Sequence, residues 1–222
     1  MGISHLLCGV THSTSRPEEE SVSNTNSLTH DDLGSAAQRD RRKRILDATI
    51  ALASKGGFDA VQMRAVAEQA DVALGTLYRY FPSKIHLLVS ALGREFERGQ
   101  AATGGRPISG DTPHERVLNA LGSTTKYMQR DPNLTEALTR AFMFADASVA
   151  TEIHHVGMLL TNQLTRAMGT RAEGEEPTDE DIAIARVIGD VWLSALMGWV
   201  TGRTAAEDVD KSIDVAVRLL LR

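Results

Sequence analysis

Residues 63–84 read Met63-Arg64-Ala65-Val66-Ala67-Glu68-Gln69-Ala70-Asp71-Val72-Ala73-Leu74-Gly75-Thr76-Leu77-Tyr78-Arg79-Tyr80-Phe81-Pro82-Ser83-Lys84. This spacing predicts a short helix, a turn of three to four residues and a second short helix, the pattern of a helix-turn-helix. The small Ala67 lets the two helices cross closely, and Val66, Ala70, Val72 and Leu77 supply the apolar contacts between them. Asp71 stands where such a turn favours glycine, and aspartate tolerates a left-handed backbone better than most residues. The second helix offers Thr76, Tyr78, Arg79 and Tyr80 on a surface that cannot all be buried, so these are candidate groove-reading side chains.

Upstream, Arg39, Arg41, Arg42, Lys43 and Arg44 lead directly into an apolar helical pattern at Ile45, Ala48, Thr49 and Leu52. Five cations at a helix start oppose the macrodipole, which favours acids there, so contact with phosphate or the minor groove accounts for them better than a solvated helix end. Residues 35–89 carry +4, the remainder −9 and the whole 222-residue chain −5. That balance excludes a uniformly basic nucleic-acid coat and concentrates an anion-seeking surface in about a quarter of an acidic protein.

Residues 1–34 hold one basic residue, Arg16, against five acids amid Ser, Thr and Asn, and are expected to be a disordered acidic tail. The lone cysteine, Cys8, excludes an internal disulfide and fits a reducing cytosol. The start lacks the charged and apolar regions of an export signal, and Leu6 stands where acylation of Gly2 wants Ser or Thr. No unbroken apolar run reaches the roughly 18–20 residues of a membrane span, so a cytoplasmic protein without a membrane partner is expected.

Helix punctuation continues downstream. Gly56-Gly57 closes the first helix, Pro82-Ser83 opens another through Leu92 and Phe96, and residues 103–110 form a loop. Thr112-Pro113-His114-Glu115 is a capping box with proline at the first helical position, and Asp131-Pro132 starts the next helix. Residues 149–168 place Ile153, Val156, Leu160, Leu164 and Ala167 on one face, and residues 169–177 form an acidic loop. Thr178 caps a helix through Val200, and Thr204-Ala205-Ala206-Glu207 reads as a capping box before the last. Strand signals are weak everywhere, so the fold class is all-α. The expected division is a tail at 1–34, a helix-turn-helix domain at 35–83, and an effector-binding and dimerisation domain at 84–222. Adjacent His154 and His155 do not converge on one metal, and Asp131, Asp146 and Asp190 lack His or Ser at a catalytic spacing, so neither metal centre nor enzyme is expected.

Thr76 through Lys84, preceded by Met63-Arg64-Ala65-Val66-Ala67 and followed by Leu87-Leu88, resembles the DNA-binding signature of the TetR family of one-component bacterial repressors. The resemblance implies a homodimer, an N-terminal domain on a palindromic double-stranded operator, and a C-terminal domain whose small effector releases DNA. Carried over by position, Arg64, Thr76 and Tyr78 would touch bases or nearby phosphates, Tyr80 and Lys84 phosphates, and Arg79 a base edge. Leu74 and Gly75 would offer backbone or apolar contact, and Arg41, Arg42 and Lys43 belong to the basic arm.

Residues 38–48, 84–96, 134–148 and 190–194 are similar to a narrower branch, the actinobacterial repressors of cholesterol catabolism. That likeness implies a lipid effector, a steroid acid carried as a coenzyme A thioester, and no cofactor. The apolar residues proposed for its pocket, which are equally core candidates, are Leu92, Phe96, Leu121, Met128, Leu138, Phe142, Met143, Leu160, Trp192 and Leu196. The helix around Trp192 is apolar nearly all round and must be covered on two sides. The family places its last two helices in a four-helix interface, so Trp199, Val209, Ile213, Val217 and Leu220 are expected against a second copy. Three readings stay open beside this one: a repressor answering fatty acyl-coenzyme A, an architectural DNA-binding protein without effector, and a module that dimerises and sequesters ligand.

Overall fold

The first free amides of a helix need acceptors, and in this chain side chains placed just ahead of several helices provide them. Thr112 accepts from the Glu115 amide at 3.1 Å while Glu115 reaches back to the Thr112 amide, completing the box. Asp131 accepts from Leu134 at 2.9 Å, Thr178 and Asp181 cap each other reciprocally, and Ser83 Oγ accepts from the His86 amide at 3.1 Å.

The computed structural model describes residues 30–103, 106–169 and 176–221, and among them the regular structure is helical. In chain order these are α1 (His30–Ala60), α2 (Met63–Gln69), α3 (Leu74–Tyr80), α4 (Lys84–Thr103), α5 (Pro113–Gln129), α6 (Pro132–Met143), α7 (Ala150–Met168), α8 (Asp179–Val200) and α9 (Glu207–Leu220), with a short 3-10 turn at Ala147–Val149. The regular part of α1 stops at the expected glycines, since Gly56 (φ −161°) and Gly57 (φ 68°, ψ −158°) are non-helical. The helix begins at His30, inside the segment expected to be a tail. Residues 1–29, with Cys8 and their expected disorder, lie outside the described residues, as does most of the acidic loop at 170–175. The capping box foreseen at Thr204 does not form: the residue preceding α9 is Ala206, and Asp208 instead accepts from the Ala205 amide at 3.1 Å. Thr204 packs into the notch at Gly198, where an added Cβ would meet its Oγ1 at 2.8 Å.

Two apolar cores result. The first joins α1 to α4 with one face of α6, around Ile45, Leu46, Leu77, Phe81, Leu87 and Leu88. The second joins α5, α7, α8 and α9 around Leu121, Leu164, Ile188, Trp192 and Ile213. Phe96 of α4 packs on both. Packing therefore does not divide at 83/84, because α6 docks on α1 and α4, about 30 Å long, runs through both layers. The α8 segment, with a mean hydropathy of 1.4, is long and apolar enough by length and composition to cross a membrane, which counting unbroken apolar runs missed. Its Ala185, Ile188, Trp192 and Leu196 are buried against neighbouring helices, as in a core helix.

Candidate nucleic-acid interface and effector cavity

Asp71 adopts φ 51°, the positive-φ non-glycine among the described residues, and so closes the turn between α2 and α3 as its side chain permits. The Val72 amide donates to the Ala67 carbonyl at 3.0 Å. Arg44 of the basic arm secures the same turn, donating to the carbonyls of Ala70 (2.7 Å) and Asp71 (3.3 Å). Val66, Ala67, Ala70 and Leu77 are buried in the crossing. That burial leaves Gly75, Tyr78 and Arg79 exposed and Thr76 and Tyr80 half-buried on α3, with Arg64 exposed on α2. Arg79 Nη2 lies 3.5 Å from Thr76 Oγ1, and a Cβ at Gly75 would meet nothing within 4 Å, so the helix start presents bare backbone.

The arm is tied down along its length. Arg41 Nη1 donates to the Tyr80 hydroxyl at 3.5 Å, Arg42 lies 5.6 Å from the Phe81 ring centroid, and Lys43 pairs with Asp47 at 3.3 Å. Asp47 also receives Arg94 at 2.7 Å. Partial burial pushes its carboxyl up, but Arg94 and Lys43 outweigh this and hold it below the usual carboxylate range. Two residues carried over as DNA contacts have partners within the chain. Leu74 packs against the first core, being the apolar residue of the α3 start, and Lys84 places its ammonium 3.9 Å over the Phe58 ring. Burial, aided by Arg140, depresses the Lys84 pKa against the opposing pull of Asp59 and Glu136.

Lys84 thereby joins a junction that sequence reasoning missed. Glu136 Oε2 of α6 accepts from the Phe58 amide at 2.8 Å, Arg140 stacks 4.4 Å from the Phe58 ring while pairing with Glu136 and Asp59, and Asn133 donates to the Ser54 carbonyl at 3.1 Å. A Cβ at Gly57 would lie 2.6 Å from Glu136 Oε2, so the close approach and the positive φ both demand glycine. The i,i+4 spacing of Glu136 and Arg140 was visible in the sequence, but not the amide they grip.

The other face of α6 borders a cavity of about 120 Å³ walled also by α4, α5, α7 and α8. Of the residues named for an effector pocket, Leu92, Phe96, Met128, Phe142, Leu160, Trp192 and Leu196 line it. Leu121 is instead sealed in the second core, Leu138 in the first, and Met143 is half exposed at the surface. The reason for the last two is helical geometry: each is one residue, about 100°, from a true lining position, Thr139 or Phe142. Trp192 is fixed by its indole N–H donating to Thr125 Oγ1 at 2.9 Å and by an edge contact with Phe96 at 6.2 Å. Gly189 lets Leu160 of α7 close onto α8, since a Cβ there would meet Leu160 Cδ2 at 3.0 Å. Lining residues not foreseen include Thr139, Val156, Thr161 and, exposed at the rim, Arg186 and Asp190.

Three expected dimer contacts are corrected as well. Val209, Ile213 and Val217 are buried in their own subunit, because the strongest apolar stripe of α9 faces α5 and α8, while Trp199 and Leu220 are partly buried on the same core. The apolar groups left exposed on these helices are Val187, Val215 and Leu219.

Comparison with known proteins fits this geometry. Residues 45–91 match the bacterial regulatory proteins of the tetR family, and residues 110–220 match the tetracyclin repressor-like C-terminal domain. The chain is 60% identical over 200 residues to the HTH-type transcriptional repressor KstR of Mycolicibacterium smegmatis, covering 90% of this chain and 96% of that one. This protein belongs to the TetR family of transcriptional repressors. The KstR of Mycobacterium tuberculosis is 59% identical, covering 87% of this chain and 86% of that one. Among solved structures, a TetR regulator from Rhodococcus sp. RHA1 aligns with TM-score 0.76 at 32% identity, covering 83% of this chain and 97% of that one. The transcriptional regulator FadR from Bacillus subtilis, solved in complex with stearoyl-CoA, aligns with TM-score 0.56 at 20% identity, covering 80% of this chain and 96% of that one. As a TetR-family member this chain is a DNA-binding repressor and not an enzyme.

Proposed function

We propose that this repressor controls genes of sterol breakdown, cholesterol catabolism in particular, and leaves its operator when a steroid acyl-coenzyme A binds. The observation that carries this reading is about 60% identity with KstR repressors over nearly the whole chain. Two copies associate through α8 and α9, using the exposed Val187, Val215 and Leu219, and set two α3 helices in successive major grooves roughly 34–36 Å apart. Arg64, Thr76, Tyr78 and Arg79 face the bases, while Arg41, Arg42, Lys43 and Tyr80 supply phosphate contact. The protein acts where the chromosome is, in the cytoplasm.

The acyl group enters the cavity between α4, α6, α7 and α8. At about 120 Å³ that space is smaller than the roughly 300 Å³ at which sites for drug-sized ligands begin, so a fused ring system fits only if the walls move. A ligand that binds the widened conformer better shifts the population away from the DNA-binding one. Because α6 is both a wall and the grip on Phe58, widening is transmitted to the helix-turn-helix unit as well as along α4.

A second reading, release by a fatty acyl-coenzyme A, is favoured by fold neighbours solved with such thioesters. Fluorescence anisotropy on the DNA upstream of the protein's own gene, with a steroid and a straight-chain acyl-coenzyme A, separates the two. Release by the steroid thioester alone supports the proposal; release by the straight chain alone supports the second reading; binding without sequence preference or release points to an architectural protein, and no affinity at about 0.15 M salt to a sequestering module.

A further inference from the structure

We infer that the Thr139 hydroxyl reads the effector, hydrogen-bonding a ketone or hydroxyl oxygen on the ring end of an otherwise apolar ligand. The inference rests on the acyl-coenzyme A reading above and names what distinguishes one lipid from another within it.

Thr139 sits on the cavity face of α6 and is 2% exposed. Three other threonines in or just after helices donate to the carbonyl one turn back, Thr49, Thr124 and Thr201 to Ile45, Ala120 and Met197 at 2.8, 3.1 and 2.6 Å, whereas the half-buried Thr161, which lines the same cavity, makes no such bond among the described residues. One turn earlier on α6, Thr135 donates to the Met128 carbonyl at 2.6 Å. Thr139 has no such partner among the described residues. Its oxygen is also not one of the sealed, unpaired side-chain atoms, which are Arg94 Nε and His114 Nε2, so it borders open space, and the space at that wall is the cavity. A hydroxyl kept nearly out of water without a partner is costly unless something arrives to pair with it.

The surrounding walls say what that is. Phe96, Phe142, Leu160 and Trp192 are apolar, and the remaining polar groups are the half-buried Thr161 on α7 and Arg186 and Asp190 at the exposed rim. A hydrocarbon chain entering between these walls leaves Thr139 unpaired. A ring system carrying one oxygen at its leading end pairs it, while its thioester end stays toward the rim. One neutral hydrogen bond of this kind corresponds to about fivefold in affinity.

The test titrates operator release with three probes: a steroid acyl-coenzyme A bearing a ring ketone, the same thioester lacking the ring oxygen, and a straight-chain acyl-coenzyme A. Thr139→Val keeps the shape and removes the hydroxyl, Thr139→Ser restores it, and thermal melting verifies that each variant folds. Wild type should prefer the ketone over the deoxy probe by about fivefold, Thr139→Val should lose that preference while still releasing DNA, and Thr139→Ser should recover it. If wild type and Thr139→Val show the same preference, or wild type shows none, the inference is wrong while the acyl-coenzyme A reading stands. If no thioester releases DNA from wild type, that reading fails and the inference falls with it.

Discussion

Replacing Glu136 by alanine separates the two faces of α6. In the native chain Glu136 accepts a 2.8 Å hydrogen bond from the Phe58 amide and holds Arg140 at 3.3 Å, while Thr139 and Phe142 on the same helix border the cavity. A hydrogen bond to a charged acceptor contributes about 1.5–3 kcal/mol. The Glu136 side chain is 29% exposed and Arg140 keeps Asp59 at 3.6 Å, so the net loss should be nearer 1–2 kcal/mol, about 2–8 °C in Tm for a domain of this size. The larger consequence is for coupling. The free energy linking effector to operator is typically about 1–3 kcal/mol, and losing the grip on Phe58 should remove a good part of it. Glu136→Ala should therefore bind operator nearly as wild type does without effector, bind effector normally, and release DNA over a shallower range. Calorimetric melting and anisotropy with and without effector measure both quantities. A variant that melts with wild type and shows an undiminished effector-dependent change in operator Kd refutes the claim that α6 carries the signal.

Other expectations follow from the same geometry. Arg79→Ala should cost about 1–3 kcal/mol on the specific duplex and relax sequence preference, read by anisotropy against scrambled DNA; a uniform loss on all sequences would falsify base readout by this residue. Lys84→Met should leave the salt dependence of operator binding unchanged, because the ammonium sits on Phe58, whereas a phosphate contact would lower the log–log slope by about one. Leu219→Asp and Val215→Asp place a charge on the exposed face of α9 without entering the core, so sedimentation should show monomers with a native melting curve; intact dimers would put the interface elsewhere.

The local code of this protein was legible in its sequence. The pattern from Met63 to Lys84 specified two short helices and their turn because small crossing residues and a left-handed Asp71 act over a few residues. The boxes at Thr112 and Thr178 set helix starts for the same reason, and the exposed Arg64, Tyr78 and Arg79 followed once Leu77 was committed to the crossing. Where several partners compete for one group, the sequence was silent. Lys84 could reach phosphate or Phe58, Thr204 could cap α9 or fill the notch at Gly198, and the apolar stripe of α9 could face another subunit or its own. Such choices depend on which surfaces lie a few ångströms away across sequence separations of many residues. Tertiary structure alone put Glu136 on the Phe58 amide and turned Thr139, rather than its neighbour Leu138, toward the cavity, since a rotation of about 100° along a helix exchanges core for pocket.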